Sequence, residues 1–376
     1  MTLDQVRRLL LEHVLTGGED LYVIGGAPPR AATATGLSKV GSPIDSERLA
    51  QLLATIATPA QQRRLEQAGT TSLTIDLAGV RLRAIFFRVA SGLAANFHRL
   101  TEQMPDPGGL GFSEPMLALT DPRPGLVLIT GPQGSGKSTA LAGLVAHVGR
   151  SRAEHVVTVE DPIERVLDSG LGPCSQLEVG RDVPTYVHGL RLAVDLGASM
   201  LVARDLPLSA IEPALTAVEA GLLVLASIAT HDVHALVGEI AHSLSPADPP
   251  AARPTLERLL RGLVFQRLLP DGRGQGWHVV REVYGPAPAN QPANQPANQP
   301  IVDEPSAPAE DRAPPLPSLR RRTPPLPVSL LRLVRERRVA VDDALRVAPD
   351  RVAFADEVER IDPSTSILYE RRIDPP

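Results

Sequence analysis

Apolar positions near the amino terminus recur at helical spacing. Leu3, Val6, Leu9, Leu10 and Val14 share one face, and Gly17-Gly18 ends the helix they predict. The spacing returns from about Ser46 to Glu66, with Leu49, Leu52, Leu53 and Ile56 on one side and Ser46 as the expected N-cap. The period then falls to two. Leu73, Ile75 and Leu77 alternate with polar neighbours, and beyond the Ala78-Gly79 turn so do Val80, Leu82, Ala84 and Phe86 against Arg81 and Arg83. Residues 1–104 therefore read as a small α+β domain. Pro105, Pro107, Gly108 and Gly109 open a linker over 105–120.

From residue 121 the texture changes. Short apolar runs at Leu126 to Thr130, Val156 to Val159, Met200 to Ala203 and Leu222 to Ile228 alternate with helical stretches, the pattern of a mostly parallel α/β sheet, here over 121–284. Residues 285–327 hold 13 of the 37 prolines and three tandem ANQP copies from Ala289 to Pro300, which predicts extended, solvated chain without regular pairing. Helical periodicity resumes from Val328 to Arg346 and from Arg351 to Ile361, so 328–376 reads as a C-terminal helical segment.

Composition narrows the class. The 376 residues, 43 % of them apolar, suffice for two or three buried cores. A single cysteine, Cys174, excludes a disulfide framework and a multi-cysteine zinc site and fits a reducing compartment. The longest apolar run, Leu222 to Ala229 broken only by Ser227, falls short of the ~20 residues that cross a bilayer. The opening MTLDQVRRLLLEHVL carries acids where a signal peptide would not, which makes cytoplasm the expected location. A net charge of −5 argues against a nucleic-acid partner.

The strongest motif is GPQGSGKST: Gly131, Pro132, Gln133, Gly134, Ser135, Gly136, Lys137, Ser138 and Thr139, between the apolar GLVLIT and the helical ALAGLVAHV. Glycines let successive backbone N–H groups curl around a phosphate, a helix N-terminus adds its positive end, and Lys137 neutralises the β/γ oxygens of ATP. A glycine-rich turn matching by chance would lack this strand–loop–helix context. Only 2 of the 38 basic residues are lysine, and one stands where a compact ammonium suits the cradle better than a planar guanidinium. Ser138 and Asp161 are the expected Mg²⁺ contacts. Hydrolysis also needs acids that position water and metal. HVVTVE ends in Glu160-Asp161-Pro162-Ile163-Glu164, three carboxylates at a strand's C-terminal end, where α/β sheets keep their sites. Solvating a turn or capping a helix is the alternative role for these acids.

These segments resemble the Walker A and Asp-box regions of the secretion ATPase superfamily, in its type IV pilus retraction (PilT-like) branch. The similarity runs on through Gln176, Glu178, Val179 and Asp182 and through TAVEAGLLVLAS. GGEDLYVIGGAPP resembles the opening of that family's PAS-like N-terminal domain, and VRLRAIFFRVASGLAANFHRL its arginine-bearing strands. FQRLLP and LVRERRVAVDDALRVAPD are similar to the end of the motor core and the C-terminal helices. The resemblance implies a RecA-like P-loop core behind a small PAS-like α+β domain, with the C-terminal helical piece after a disordered linker. It also implies a homo-hexameric ring binding ATP and Mg²⁺ between subunits, and domain rotation that disassembles pilin filaments against an inner-membrane platform protein. Glu160 and Glu164 would be the Asp-box acids, Asp205 would act at the Walker B position, and Arg81, Arg83 or Arg88 would reach a neighbour's phosphates.

Three departures bear on turnover. Asp205 stands where the family has glutamate, and Arg204 where it has glycine; Ala229 replaces the His-box histidine, with His231 displaced by two; and the proline-rich stretch occupies the place of the retraction-linked segment. A carboxylate withdrawn by about 1.5 Å positions water poorly, and a misplacement near 1 Å costs about 10²-fold. The rival to a retraction motor is therefore a nucleotide-binding, catalytically weak accessory subunit beside an active paralogue. An assembly-type ATPase is disfavoured because that branch carries a four-cysteine metal element. His231, His234 and His242 lack the spacing and cysteine company of a zinc site. APPLP and PPLP, at 313–317 and 324–327, suit either a polyproline II ligand or a plain spacer. The arginines of 320–338 suit a solvated helix face or an anionic surface.

Overall fold

The computed structural model describes residues 3–16, 18–33, 36–100, 106–168, 170–272, 276–286 and 316–361. Two compact units result, one of residues 1–105 with 149–204 and one of 106–148 with 205–376. The ANQP repeats lie outside the described residues. Among the described residues no helix is long and apolar enough to cross a membrane.

The chain opens with α1 (Leu3–Leu15), β1 (Asp20–Ile24), β2 (Arg30–Thr33), β3 (Gly36–Lys39), α2 (Ser46–Ile56), α3 (Pro59–Ala68), β4 (Thr70–Leu77), β5 (Val80–Val89) and β6 (Gly92–Arg99). The six strands form an antiparallel sheet in the order β3-β2-β1-β6-β5-β4. Period-two patterning makes one face apolar: Leu82, Ala84 and Phe86 of β5 are fully buried, and α1 and α2 bring Val6, Leu10, Leu49 and Leu52 into one core with Ala84 and Phe86. Phe97, in register with Leu21 and Ala84, meets Phe86 edge to face at 5.8 Å between ring centroids.

The helix expected over 46–66 is two helices. Pro59 cannot continue the first and pushes its predecessor extended, so Thr58, at ψ 158°, starts a new helix with a capping box to Gln61. The N-cap of α2 is Asp45, whose carboxylate accepts from the Arg48 N–H at 2.8 Å, while the Ser46 hydroxyl accepts from the Leu93 N–H across the core. Strands β1 to β3, of five, four and four residues, are too short for periodicity to mark them.

After α4 (Glu114–Leu117) come β7 (Gly125–Gly131), α5 (Lys137–Ser151), β8 (Val156–Glu160), β9 (Cys174–Glu178), α6 (Tyr186–Asp195) and β10 (Met200–Ala203). Then follow α7 (Ile211–Glu219), β11 (Leu223–Ala229), α8 (Val233–Leu244), α9 (Pro249–Leu259), β12 (Leu260–Pro270), β13 (Trp277–Gly285), β14 (Arg320–Arg321), α10 (Leu326–Arg335), α11 (Val341–Val347) and α12 (Arg351–Ile361). In the first unit β10, β8 and β9 pair in parallel, in that order. In the second the order is β14-β13-β12-β7-β11, with β12, β7 and β11 parallel and β13 antiparallel to β12. Strands such as β7 and β8 are buried along their whole length, which is why they read as unbroken apolar runs.

The stretch 328–346 divides into α10 and α11, with Arg337 in the left-handed region at φ 53° between them. Residues 316–327 are packed, contrary to the expectation of solvated linker. Leu316, Leu319 and Leu326 are buried, Arg320 and Arg321 pair with β13, and the PPLP motif runs into the first turn of α10, where prolines cost no hydrogen bond. No free polyproline ligand is presented there.

Phe97→Ala removes a fully buried ring from the sheet core and should destabilise the protein by about 3–5 kcal/mol, read as a lower midpoint of the denaturant transition that reports the first unit.

Candidate functional site

In the second unit, β7 delivers the chain to the loop 132–136 and α5 receives it at Lys137. Gly131, Gly134 and Gly136 have φ of 144°, 76° and 82°, values that side-chain-bearing residues rarely adopt. Gly131 also needs the space: a Cβ there would lie 2.2 Å from the Gln266 carbonyl oxygen. Gln133 and Gly134 are exposed at the loop tip, Pro132 is half-buried, and Ser138 and Thr139 sit half-buried in the first turn of α5.

Three observations show that this loop fits a phosphate. The Lys137 ammonium is buried and donates to the loop's own carbonyls, Pro132 O at 2.9 Å and Gly131 O at 3.2 Å. Burial lowers its pKa and the Asp205 carboxylate opposes that shift. Ser135 is 2 % exposed, and its hydroxyl oxygen is buried without a hydrogen-bond partner. A desolvated cation, an orphaned hydroxyl and a helix N-terminus converge on one loop, as an anion cradle requires.

Asp205 is exposed and left-handed at φ 50°, a conformation aspartate tolerates better than most residues. Its N–H donates to the buried Ser227 Oγ at 2.8 Å, and the hydroxyl reaches back to Oδ1 at 3.4 Å. Thr230 donates its N–H to Gly131 O, and Ala229 is exposed at the end of β11.

In the first unit the acids after β8 are tied to arginines. Glu160 is 5 % exposed; its Oε1 accepts from Thr158 Oγ1 at 2.8 Å and Gln176 Nε2 at 3.0 Å, and Oε2 lies 3.4 Å from Arg204. Glu164 Oε1 is 2.7 Å from Arg204 and 2.8 Å from Arg83. Asp161 pairs with Arg64 at 2.5 Å. Burial raises the Glu160 pKa, with Arg204 the largest opposing influence. Sequence reasoning registered Arg204 only as a missing glycine; its side chain, 8 % exposed, is the centre of this network.

Alternation along β5 puts Arg81 and Arg83 on one face and Arg88, which is exposed, on the other. Arg83 is engaged with Glu164 of its own chain, and Arg81 lies 3.8 Å from Asp76. Cys174 is half-buried, and burial raises its thiol pKa to about 11, which suits an inert residue. His231 and His242 are exposed, and the described residues hold no cluster of three or more metal-ligating side chains.

A family model described as "Type II/IV secretion system protein" matches residues 49–270. The chain is 28 % identical over 267 residues to the type IV pilus retractation ATPase PilT of Pseudomonas aeruginosa, covering 70 % of this chain and 78 % of that one. It is 25 % identical over 289 residues to the type IV pilus ATPase PilU of the same organism, covering 75 % and 74 %. Among solved structures, that of the pilus retraction motor PilT with bound ADP superposes with a TM-score of 0.72 at 23 % identity, covering 94 % of this chain and 99 % of that one. The fold is thus α/β, a P-loop core of the RecA-like kind behind a small N-terminal α+β domain.

Arg204→Met leaves Glu160 buried without its guanidinium, a loss of about 3–5 kcal/mol. The raised carboxyl pKa moves higher still, so the penalty is absent below the unfolded value and grows as pH rises toward the folded one. The denaturant midpoint of the variant should therefore sit near wild type at about pH 4 and well below it at about pH 8; equal losses at both would count against the pairing.

Proposed function

The chain belongs to the type II/IV secretion system protein family, and from that premise we propose that it is an ATP-driven motor of the pilus retraction kind, working as a homo-hexameric ring. The observation that carries this reading is the buried Lys137 ammonium, turned onto loop carbonyls inside a strand–loop–helix with three positive-φ glycines. Likeness to PilT and PilU, both named as pilus ATPases, supports the same reading. In it, Lys137 exchanges the Gly131 and Pro132 carbonyls for phosphate oxygens, the N–H groups of Gly134 to Thr139 close around them, and the Ser135 hydroxyl gains a partner. Ser138, and Asp161 once it leaves Arg64, would hold Mg²⁺, which would neutralise charge developing on the phosphates. Asp205, oriented by Ser227, positions water. Arg88 is available to a neighbouring subunit's nucleotide, as are Arg81 once it leaves Asp76 and Arg83 once it leaves Glu164. The filament machine's inner-membrane platform would be the partner, with the ring at the cytoplasmic face of that membrane.

One observation favours the second reading, a nucleotide-binding accessory subunit with weak hydrolysis beside an active paralogue. Glu160 has both carboxylate oxygens engaged, and Arg204 holds it together with Glu164. A carboxylate tied up in this way serves poorly as a base until the guanidinium lets go.

Binding of a fluorescent ADP analogue and steady-state ATPase separate the readings. Lys137→Ala should weaken binding about 10²-fold, the ~3 kcal/mol of a lost charge-assisted contact. Turnover of about 1 s⁻¹ or faster, abolished by Asp205→Ala, would support the motor, and tight binding with turnover far below that the accessory subunit. A wild type that binds no nucleotide overturns both.

A further inference from the structure

Gln266 lies on β12 one residue past Phe265, the last position paired with β7, and so stands level with the phosphate loop. It is 1 % exposed. Its Nε2 donates to Ser135 O at 2.5 Å, and its Oε1 accepts from Arg281 Nε at 2.7 Å. Arg281, on β13, donates through one terminal nitrogen to Leu110 O at 2.9 Å and Gly111 O at 3.1 Å, and its guanidinium lies 5.0 Å over the Phe112 ring. Burial lowers the Arg281 pKa to about 10, as a largely desolvated guanidinium requires.

The chemistry of these partners dictates the residue types. A carbonyl only accepts and a guanidinium only donates, so the side chain between them must present a donor to one and an acceptor to the other. An amide does this in one orientation alone. Glutamate would face the Ser135 carbonyl with an oxygen, and leucine would leave both buried groups unsatisfied. The loop is close to β12 at both ends as well: Cβ atoms at Gly131 and Gly136 would lie 2.2 Å and 2.9 Å from Gln266.

We propose that Gln266 and Arg281 are positioning residues for the phosphate loop, a strut that ties the loop backbone at Ser135 to the turn at Leu110–Gly111. Ser135 is two residues from the start of α5, so the strut sets how the N–H groups of Gly136 to Ser138 point. A displacement of the Leu110–Gly111 turn pulls on Arg281, and Gln266 passes it to the loop. Phosphate affinity is thereby made to depend on where that turn sits within the second unit. The effect on nucleotide rests on the function proposed above; the effect on the loop backbone does not.

The test uses the full chain and two measurements. Hydrogen exchange of the 131–139 segment without nucleotide reads the strut itself, and ADP affinity with the ATPase KM reads its consequence. Gln266→Glu keeps the Arg281 contact and removes the donor to Ser135; Arg281→Lys keeps charge but cannot span Gln266 and both carbonyls of the turn. Each should speed exchange in 131–139 and weaken ADP binding, by about tenfold for Gln266→Glu, the worth of one such hydrogen bond, with KM raised and kcat within about twofold. The double variant should be no worse than Gln266→Glu alone, because both cut the same strut. Unchanged loop exchange in either folded variant, or additive effects in the double variant, overturns the strut. A wild type that fails to bind ADP overturns the proposed function and leaves the exchange measurement to decide the strut. Should Gln266→Glu fail to fold, Arg281→Lys decides alone.

Discussion

A missing side chain governs the phosphate loop. The carbonyl oxygen of Gln266 would lie 2.2 Å from a Cβ at Gly131, so β12 passes the loop at a distance only glycine allows. That approach puts the Gln266 amide within reach of Ser135 and lets the Thr130 hydroxyl bond to Val264 O at 2.9 Å. The loop backbone is thus fixed against its neighbour strand. Preorganisation of this kind removes part of the ordering cost that binding would otherwise carry. The Lys137 ammonium, parked on loop carbonyls, completes a site whose polar groups are arranged for an anion.

The acids of the first unit follow a different logic. Glu160, Glu164, Arg83 and Arg204 form an ion network whose centre, Glu160 and Arg204, is buried and whose edge, at Arg83, is half-exposed. Burying such charges is costly unless each finds its partners, and here Thr158 and Gln176 supply the hydrogen bonds that complete Glu160. A network this complete favours order over reactivity. The chain leaves the first unit at Arg204 and enters the second at Asp205, so neighbouring residues serve a closed ion network and an exposed carboxylate held by Ser227.

Much of this was legible in the pattern of residues. The hairpin of β4 and β5, the buried parallel strands and the glycine-rich loop were each evident because their cause is local: alternation, unbroken apolar runs and fixed glycine spacing. Elements with non-local causes were not. Strands β1 to β3 are short and depend on pairing with β6 and with each other. The packing of residues 316–327 follows from Leu316, Leu319 and Leu326 finding an apolar surface that composition does not reveal.

The sequence by itself determined the family and the glycine-rich loop between β7 and α5, because those rest on residue types at fixed spacing along the chain. Only the tertiary structure decided how the polar side chains are engaged. Arg204, Gln266 and Arg281 carry no local signal of a role, since each acts on a residue between 15 and 131 positions away, as Arg204 on Glu160, Arg281 on Gln266 and Gln266 on Ser135 show. A buried polar side chain takes its meaning from the partner the fold brings to it, and no reading along the chain supplies that partner.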